Sequence, residues 1–183
     1  MSETTWYLET TDPAELRPGR EPEGPVRFTR AQVPSPELSR FLYETVGRDY
    51  RWFDRSPWTD QEWRDRVERP GVETWVLYDR GTPAGYAELE AQDGGAVEIV
   101  YFGLMPGFLG RGLGGHMLTE TVRRAWDLAG RWPGREATRR VWLHTCSLDG
   151  EHALANYEAR GLRLYRETVA DQATGGQVDM SPK

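Results

Sequence analysis

The sequence predicts an α/β protein of the α+β kind, with one mixed sheet of six or seven strands and helices on both faces. Three observations predict it. Two β-favouring runs joined by a turn at 79–83 lead into a third, apolar run at 96–104, as an antiparallel meander does. Apolar residues recur at three and four over 38–46 and again over 113–126, as on the buried stripes of two helices. A glycine-rich stretch joins the third strand directly to the second of those helices. The length of 183 residues fits one domain, 1–183.

Residues 6–9 and 26–29 are short β-favouring runs. Between them 10–25 is rich in Pro, Gly, Arg and Glu without an apolar period, so 1–25 reads as an N-terminal extension with a short strand and a loop. Ser35 is the N-cap of a helix whose stripe is Leu38, Phe41, Leu42 and Val46, ending at Gly47. Tyr50, Trp52, Phe53 and Trp58 then break the period, and these rings make either a satellite core between short helices or one wall of a pocket. Thr59 caps a helix carrying Trp63 and Val67 up to Pro70.

Strands at 74–78 and 84–90 pair across the turn, and the third follows Asp93-Gly94-Gly95. Its unbroken run Ile99-Val100-Tyr101-Phe102 predicts a central strand buried on both faces. A long helix at 112–129 buries Leu113, Met117, Val122, Ala125 and Trp126 and stops at Gly130. A strand at 141–145, a helix at 149–160 with Gly161 as C-cap and a strand at 162–168 complete the order, and the polar tail adds an edge strand near Val178.

Composition removes several chemistries. The only lysine is Lys183, so the other 22 of the 23 basic residues are arginines and no internal Schiff-base or phosphate-loop lysine exists. The lone Cys146 and the scattered His116, His144 and His152 cannot close a zinc site, no metal is expected, and no Gly-x-Ser-x-Gly elbow is present. Cys146, just after the 141–145 strand, reads as a packing residue. A net charge of -6 and a pI of about 5.2 argue against a nucleic-acid partner and favour a cationic or amine one. No apolar run is long enough to span a membrane and residues 1–5 lack the start of a secretory signal, so the expectation is a cytoplasmic protein without membrane contact.

The stretch that carries chemistry is Phe108-Leu109-Gly110-Arg111-Gly112-Leu113-Gly114-Gly115-His116, between strand and helix. Glycines without Cβ let the backbone approach an anion closely, and the unpaired N–H groups at a helix start bind phosphate oxygens. Gly110-x-Gly112-x-x-Gly115 also matches a dinucleotide fingerprint, but that fold needs strand–helix alternation and an acidic residue at the end of the next strand, and 141–145 has none.

Here the sequence resembles the GNAT family of N-acetyltransferases, whose pyrophosphate loop reads Arg/Gln-x-x-Gly-x-Gly/Ala after a strand, with a proline three positions before the Arg or Gln. Pro106, Gly112 and Gly114 fit, while Leu109 stands where the family has Arg or Gln. That departure removes one side-chain contact but leaves the backbone N–H groups, with Arg111 as a nearby charge. Glu98-Ile99-Val100-Tyr101-Phe102-Gly103-Leu104 looks like the family's fourth strand. Residues 152–162 look like its late Ala-x-x-x-Tyr-x-x-x-Gly-Phe helix, with Gly150 replacing a frequent asparagine. The match covers 74–168, the CoA-binding core.

The resemblance implies transfer of an acetyl group from acetyl-CoA, a co-substrate, to a primary amine of a small molecule, peptide or protein by direct attack. It places the pantetheine arm along Phe102, Gly103 and Leu104, freed because the 96–104 and 141–145 strands splay. It places the pyrophosphate on Leu109, Gly110, Arg111, Gly112, Leu113, Gly114 and Gly115. Tyr157 is then the general acid, against a plain reading as a core tyrosine. Glu98, a charge in an apolar run and costly there unless it is used or paired, is the general base, with Glu88 and Glu90 in reserve. The plain reading of Glu98 is an exposed strand start or a pair with an arginine. A CoA-binding regulatory module without turnover is the competing function, and a homodimer is compatible with either.

Overall fold

The structure, a computed structural model, describes residues 2–149, 152–171 and 177–179. Its strands are β1 (Ser2–Thr10), β2 (Val26–Arg30), β3 (Val72–Asp79), β4 (Thr82–Ala91), β5 (Ala96–Leu104), β6 (Arg140–Cys146), β7 (Arg163–Asp171) and β8 (Gln177–Asp179). They form one sheet in the order β2-β3-β4-β5-β6-β1-β7-β8, antiparallel throughout except between β5 and β6. The expected mixed sheet is there, and the edge strand foreseen near Val178 brings the described strands to eight.

The helices are α1 (Pro36–Gly47), α2 (Asp60–Val67), α3 (Leu113–Trp126) and α4 (Ala153–Ala159). Neighbouring residues of a strand point to opposite faces, and β3 shows where each helix lies. Val76, with Tyr86 of β4, packs against Leu42, Tyr43 and Val46 of α1 and Trp63 of α2. Trp75, with Leu89, Val97 and Leu143, packs against Leu118, Val122 and Ala125 of α3 and Tyr157 of α4. Each large side chain so buried contributes about 1.5–3 kcal/mol, so Leu42→Ala alone would cost about 2–5 kcal/mol.

Both expected caps form. Ser35 Oγ accepts from Leu38 N at 3.2 Å, and Thr59 with Glu62 closes a reciprocal capping box. Three elements differ from expectation. The strand expected at 6–9 runs from Ser2 to Thr10 and lies inside the sheet, paired with β6 and β7, so the N-terminal segment helps build it. The long helix ends at Trp126 and continues as a 3-10 turn, Leu128–Arg131. The late helix is shorter than 149–160, because Asp149 instead accepts from Thr145 Oγ1 at 2.5 Å and Cys146 N at 3.0 Å, closing the turn after β6. No described helix is long and apolar enough to cross a membrane.

Candidate active site

β5 and β6 pair only at Ala96–Arg140, Val97–Val141 and Glu98–Trp142. On the other edge of β5 the register with β4 slips between Leu89–Ile99 and Glu88–Tyr101, which leaves Val100 as one extra residue. A bulge bends its strand, and this one turns β5 away from β6 just past their last pair. Met105 N donates to Ala84 O at 2.8 Å. Strand alternation then directs the backbone N–H and C=O of Phe102 and Leu104 away from β4, into the gap. The splay also explains why Val100, Tyr101 and Phe102 are half-buried rather than buried on both faces: they face a cleft of about 1420 Å³.

One end of the cleft is the start of α3. Gly110 and Gly112 have φ of +73° and +75°, the left-handed region, and nothing lies within 4 Å of where a Cβ would stand on either. Backbone conformation, not lack of room, requires glycine there. Leu113 is buried with Leu77, Leu104 and Met117 and fixes the helix start to the end of β5. Of the residues expected to hold the cofactor, Phe102, Gly103, Leu104, Leu109, Gly110, Gly114 and Gly115 line the cleft together, whereas Arg111, Gly112 and Leu113 are not in its wall. Arg111 turns to the β3–β4 hairpin, where Nη2 lies 2.6 Å from Asp79 Oδ2.

Tyr157 also lines the cleft, edge-on to Phe102 with ring centroids 6.0 Å apart. Burial raises its phenol above the ordinary value, so it is held in the protonated form. Glu98 is 9% exposed and is not in the cleft wall. Its Oε2 accepts from Gln92 Nε2 at 2.8 Å, and Gln92 Oε1 accepts from Trp142 Nε1 at 3.0 Å. Its other oxygen lies 3.5 Å from His144 Nδ1 on β6, and His144 does line the cleft. The hydrogen bond to Glu98 raises the imidazole above its ordinary pKa, against the opposing effect of burial. Sequence reasoning missed His144. The signal was a titratable residue alternating with Trp142 in an apolar strand, but only the β5–β6 register shows that it meets Glu98.

The aromatic stretch serves both purposes foreseen for it. Tyr50, Trp52 and Trp58 pack on the cluster around Tyr43 and Trp63, and with Phe53 they line the other end of the cleft. Beneath them Arg55 is buried, its Nη1 and Nη2 donating to Glu88 (2.7 and 2.8 Å) and its guanidinium over the rings of Trp58 and Tyr101 at 4.6 and 4.5 Å. Glu88 also pairs with Arg66, and Glu90 with Arg66 and Arg69, so both reserve carboxylates are committed to arginines. Cys146 lines the cleft with its thiol raised by burial, which disfavours the nucleophilic thiolate.

A family model described as "Acetyltransferase (GNAT) family" matches residues 39–162. No curated protein compared with the sequence matches it. Among solved structures the fold is similar to a GCN5-related N-acetyltransferase from Kribbella flavida, at TM-score 0.61 and 20% identity over 88% of this chain and 54% of that one. It is also similar to one from Sphaerobacter thermophilus, at TM-score 0.57 and 18% identity over 98% and 52%. An aminoglycoside acetyltransferase from an uncultured soil metagenomic sample, in complex with sisomicin, matches at TM-score 0.54 and 12% identity over 74% and 85%. The chain thus spans about half the length of the Kribbella and Sphaerobacter chains.

Proposed function

The chain belongs to the GNAT family of acetyltransferases, and we propose that its activity is acyl transfer, moving the acetyl group of acetyl-CoA directly to a primary amine. The observation that carries this reading is the open edge of β5 beside the glycine-rich start of α3, with Glu98 and His144 where β5 and β6 part. The donor set fits the co-substrate: free backbone groups of Phe102 and Leu104 suit the amides of a pantetheine arm. The N–H groups of Gly110, Gly114 and Gly115, which line the cleft at the positive end of a helix dipole, suit a pyrophosphate. Arg111, held by Asp79, sets the loop's shape at this end.

Bound acetyl-CoA supplies an activated thioester. The chain's residues then have three tasks. His144, with Nδ1 turned to Glu98, leaves Nε2 to take the proton of an incoming ammonium, and Glu98 stabilises the imidazolium that results. The nitrogen lone pair forms the new C–N bond as the C–S bond breaks. Tyr157 gives its proton to the leaving sulfur and recovers one from the nitrogen of the new bond, so ammonium and thioester become amide, free thiol and one proton, which His144 holds and passes to solvent. Glu98 thus works through His144 rather than on the amine itself. Cys146, held as the thiol, offers no covalent detour.

The test measures thiol release from acetyl-CoA across a panel of primary amines, beside CoA binding by calorimetry. Release that requires both the protein and an amine is expected. Tight CoA binding with no amine-dependent release would assign the chain to the alternative, a CoA-binding module without turnover.

A further inference from the structure

The acceptor end of the cleft contains a carboxylate whose surroundings differ from those of Glu88 and Glu90. Glu88 and Glu90 are neutralised by Arg55, Arg66 and Arg69. Asp54, exposed in the cleft wall, pairs with no arginine or histidine among the described residues. Its oxygens are held by phenols instead: Tyr43 Oη donates to Oδ1 at 2.9 Å and Tyr101 Oη donates to Oδ2. Tyr43 Oη is itself fixed, because it accepts from Arg55 N at 3.1 Å. Phenols orient a carboxylate without cancelling its charge, and each oxygen keeps a lone pair for a further donor. A charged group is therefore pre-positioned, at an exposed site where its hydration costs nothing until a ligand arrives.

The rings around it point to the same kind of ligand. The rings of Trp52 and Tyr101 lie 4.7 Å apart, tilted by 55°, beside Asp54, and Phe53, next to Asp54 in the chain, is 66% exposed while lining the cleft. Aromatic faces next to a carboxylate attract a cation and cover an apolar spacer. The start of α3 attracts anions, whereas Asp54 offers a carboxylate in a stretch of wall that also carries the exposed Arg51. Asp54 and Asp149 also add to the field that favours proton uptake by His144, behind the larger effect of Glu98, so these groups lie within electrostatic reach.

Resting on the acyl-transfer reading above, we propose that the acceptor is a small diamine, one ammonium seated on Asp54 against Trp52 and Phe53 while the other amine reaches His144. A lone ammonium on Asp54 would be stabilised in its protonated form, away from the base, and would not react. Anchoring is productive only for a molecule with a second amine. The spacer between the two nitrogens is apolar, because Phe53 and Trp52 give it a surface to cover.

The experiment compares diaminobutane and diaminohexane with butylamine and hexylamine as acceptors, by thiol release from acetyl-CoA. At least one diamine should exceed its monoamine in kcat/KM by about tenfold or more, mostly through KM, the combined size of an ion pair and a cation–aromatic contact. Asp54→Asn, which still offers Tyr43 or Tyr101 an oxygen, should bring the pair level. Phe53→Ala, at an exposed position that places no demand on folding, should raise KM for diaminohexane more than for diaminobutane. Equal kcat/KM for diamine and monoamine in the parent, or a diamine advantage that survives Asp54→Asn, overturns the proposal. If no amine releases thiol, the acyl-transfer reading fails on its own, and calorimetry on the CoA-loaded protein still decides. Diaminohexane binding about tenfold tighter than hexylamine supports the Asp54 anchor, and equal binding overturns it.

Discussion

His144 and Glu98 act as one unit, and their joint behaviour with pH follows from which atom faces which. The imidazole is raised above its ordinary pKa first by the hydrogen bond to Glu98, with burial pulling the other way. A protonated imidazole cannot accept a proton, so kcat/KM should rise with pH through the His144 pKa. Glu98→Gln removes the raising contribution and leaves the burial. The acidic limb should therefore move to lower pH while the plateau falls, because a less basic imidazole takes the ammonium proton less readily. Measuring kcat/KM against pH for parent and variant decides it: a limb that stays in place would transfer the role to bulk water. Tyr157 is the complementary case, a phenol kept protonated by its burial and so ready to give rather than take. Both groups are raised, His144 by its carboxylate partner and Tyr157 by burial, and they face the cleft from β6 and α4, one placed to take a proton and the other to give one.

At the scale of elements, the loop from Pro106 to Gly112 converts the end of β5 into the start of α3, and its two left-handed glycines set the direction of the free N–H groups. Gly112→Val should weaken CoA binding by more than about tenfold although open space surrounds the new side chain. A β-branched residue at positive φ costs on the order of 1–2 kcal/mol, and the loop relieves that by turning its amides. Calorimetric CoA affinity within threefold of the parent, in a variant of unchanged helix content, would show that these amides do not hold the cofactor. This loop was legible in the sequence because glycine is a local signal, as were the caps Ser35 and Thr59. The splay was expected from a family resemblance, but its cause was not visible: Val100 is one more apolar β-branched residue in an apolar run, and only pairing with β4 reveals it as the extra one. His144 was missed for the same reason, since its partner lies 46 positions earlier and is met through register. The late helix was drawn too long because Asp149 looks like a helix residue and instead ties the turn after β6.

For the molecule as a whole, the β3–β4 hairpin couples stability to the acceptor end of the cleft through one buried charge cluster. Glu88 is fully buried beneath the aromatic wall, and Arg55 and Arg66 both bond to it. Burial pushes its carboxyl up, but the hydrogen bonds and charges of the two arginines outweigh that and hold it below the ordinary value. In the unfolded chain the same group titrates near about 4.3. Its contribution to stability is therefore complete above that value and is lost as pH falls through the lower folded one. Glu88→Gln leaves two buried guanidinium groups short of a counter-charge, which should cost about 3–5 kcal/mol near neutrality. The variant cannot gain or lose that charge, so its own stability should depend less on pH in the acid range. Thermal unfolding of parent and variant from neutral to acid pH should show a Tm gap that is widest near neutrality and narrows as the parent's Glu88 protonates. A gap that stays constant across the range would mean that Glu88 supports the hairpin by its shape alone. Because Arg55 stacks under Trp58 and Tyr101, the same substitution should loosen the aromatic wall and raise acceptor KM at a pH where the variant is still folded.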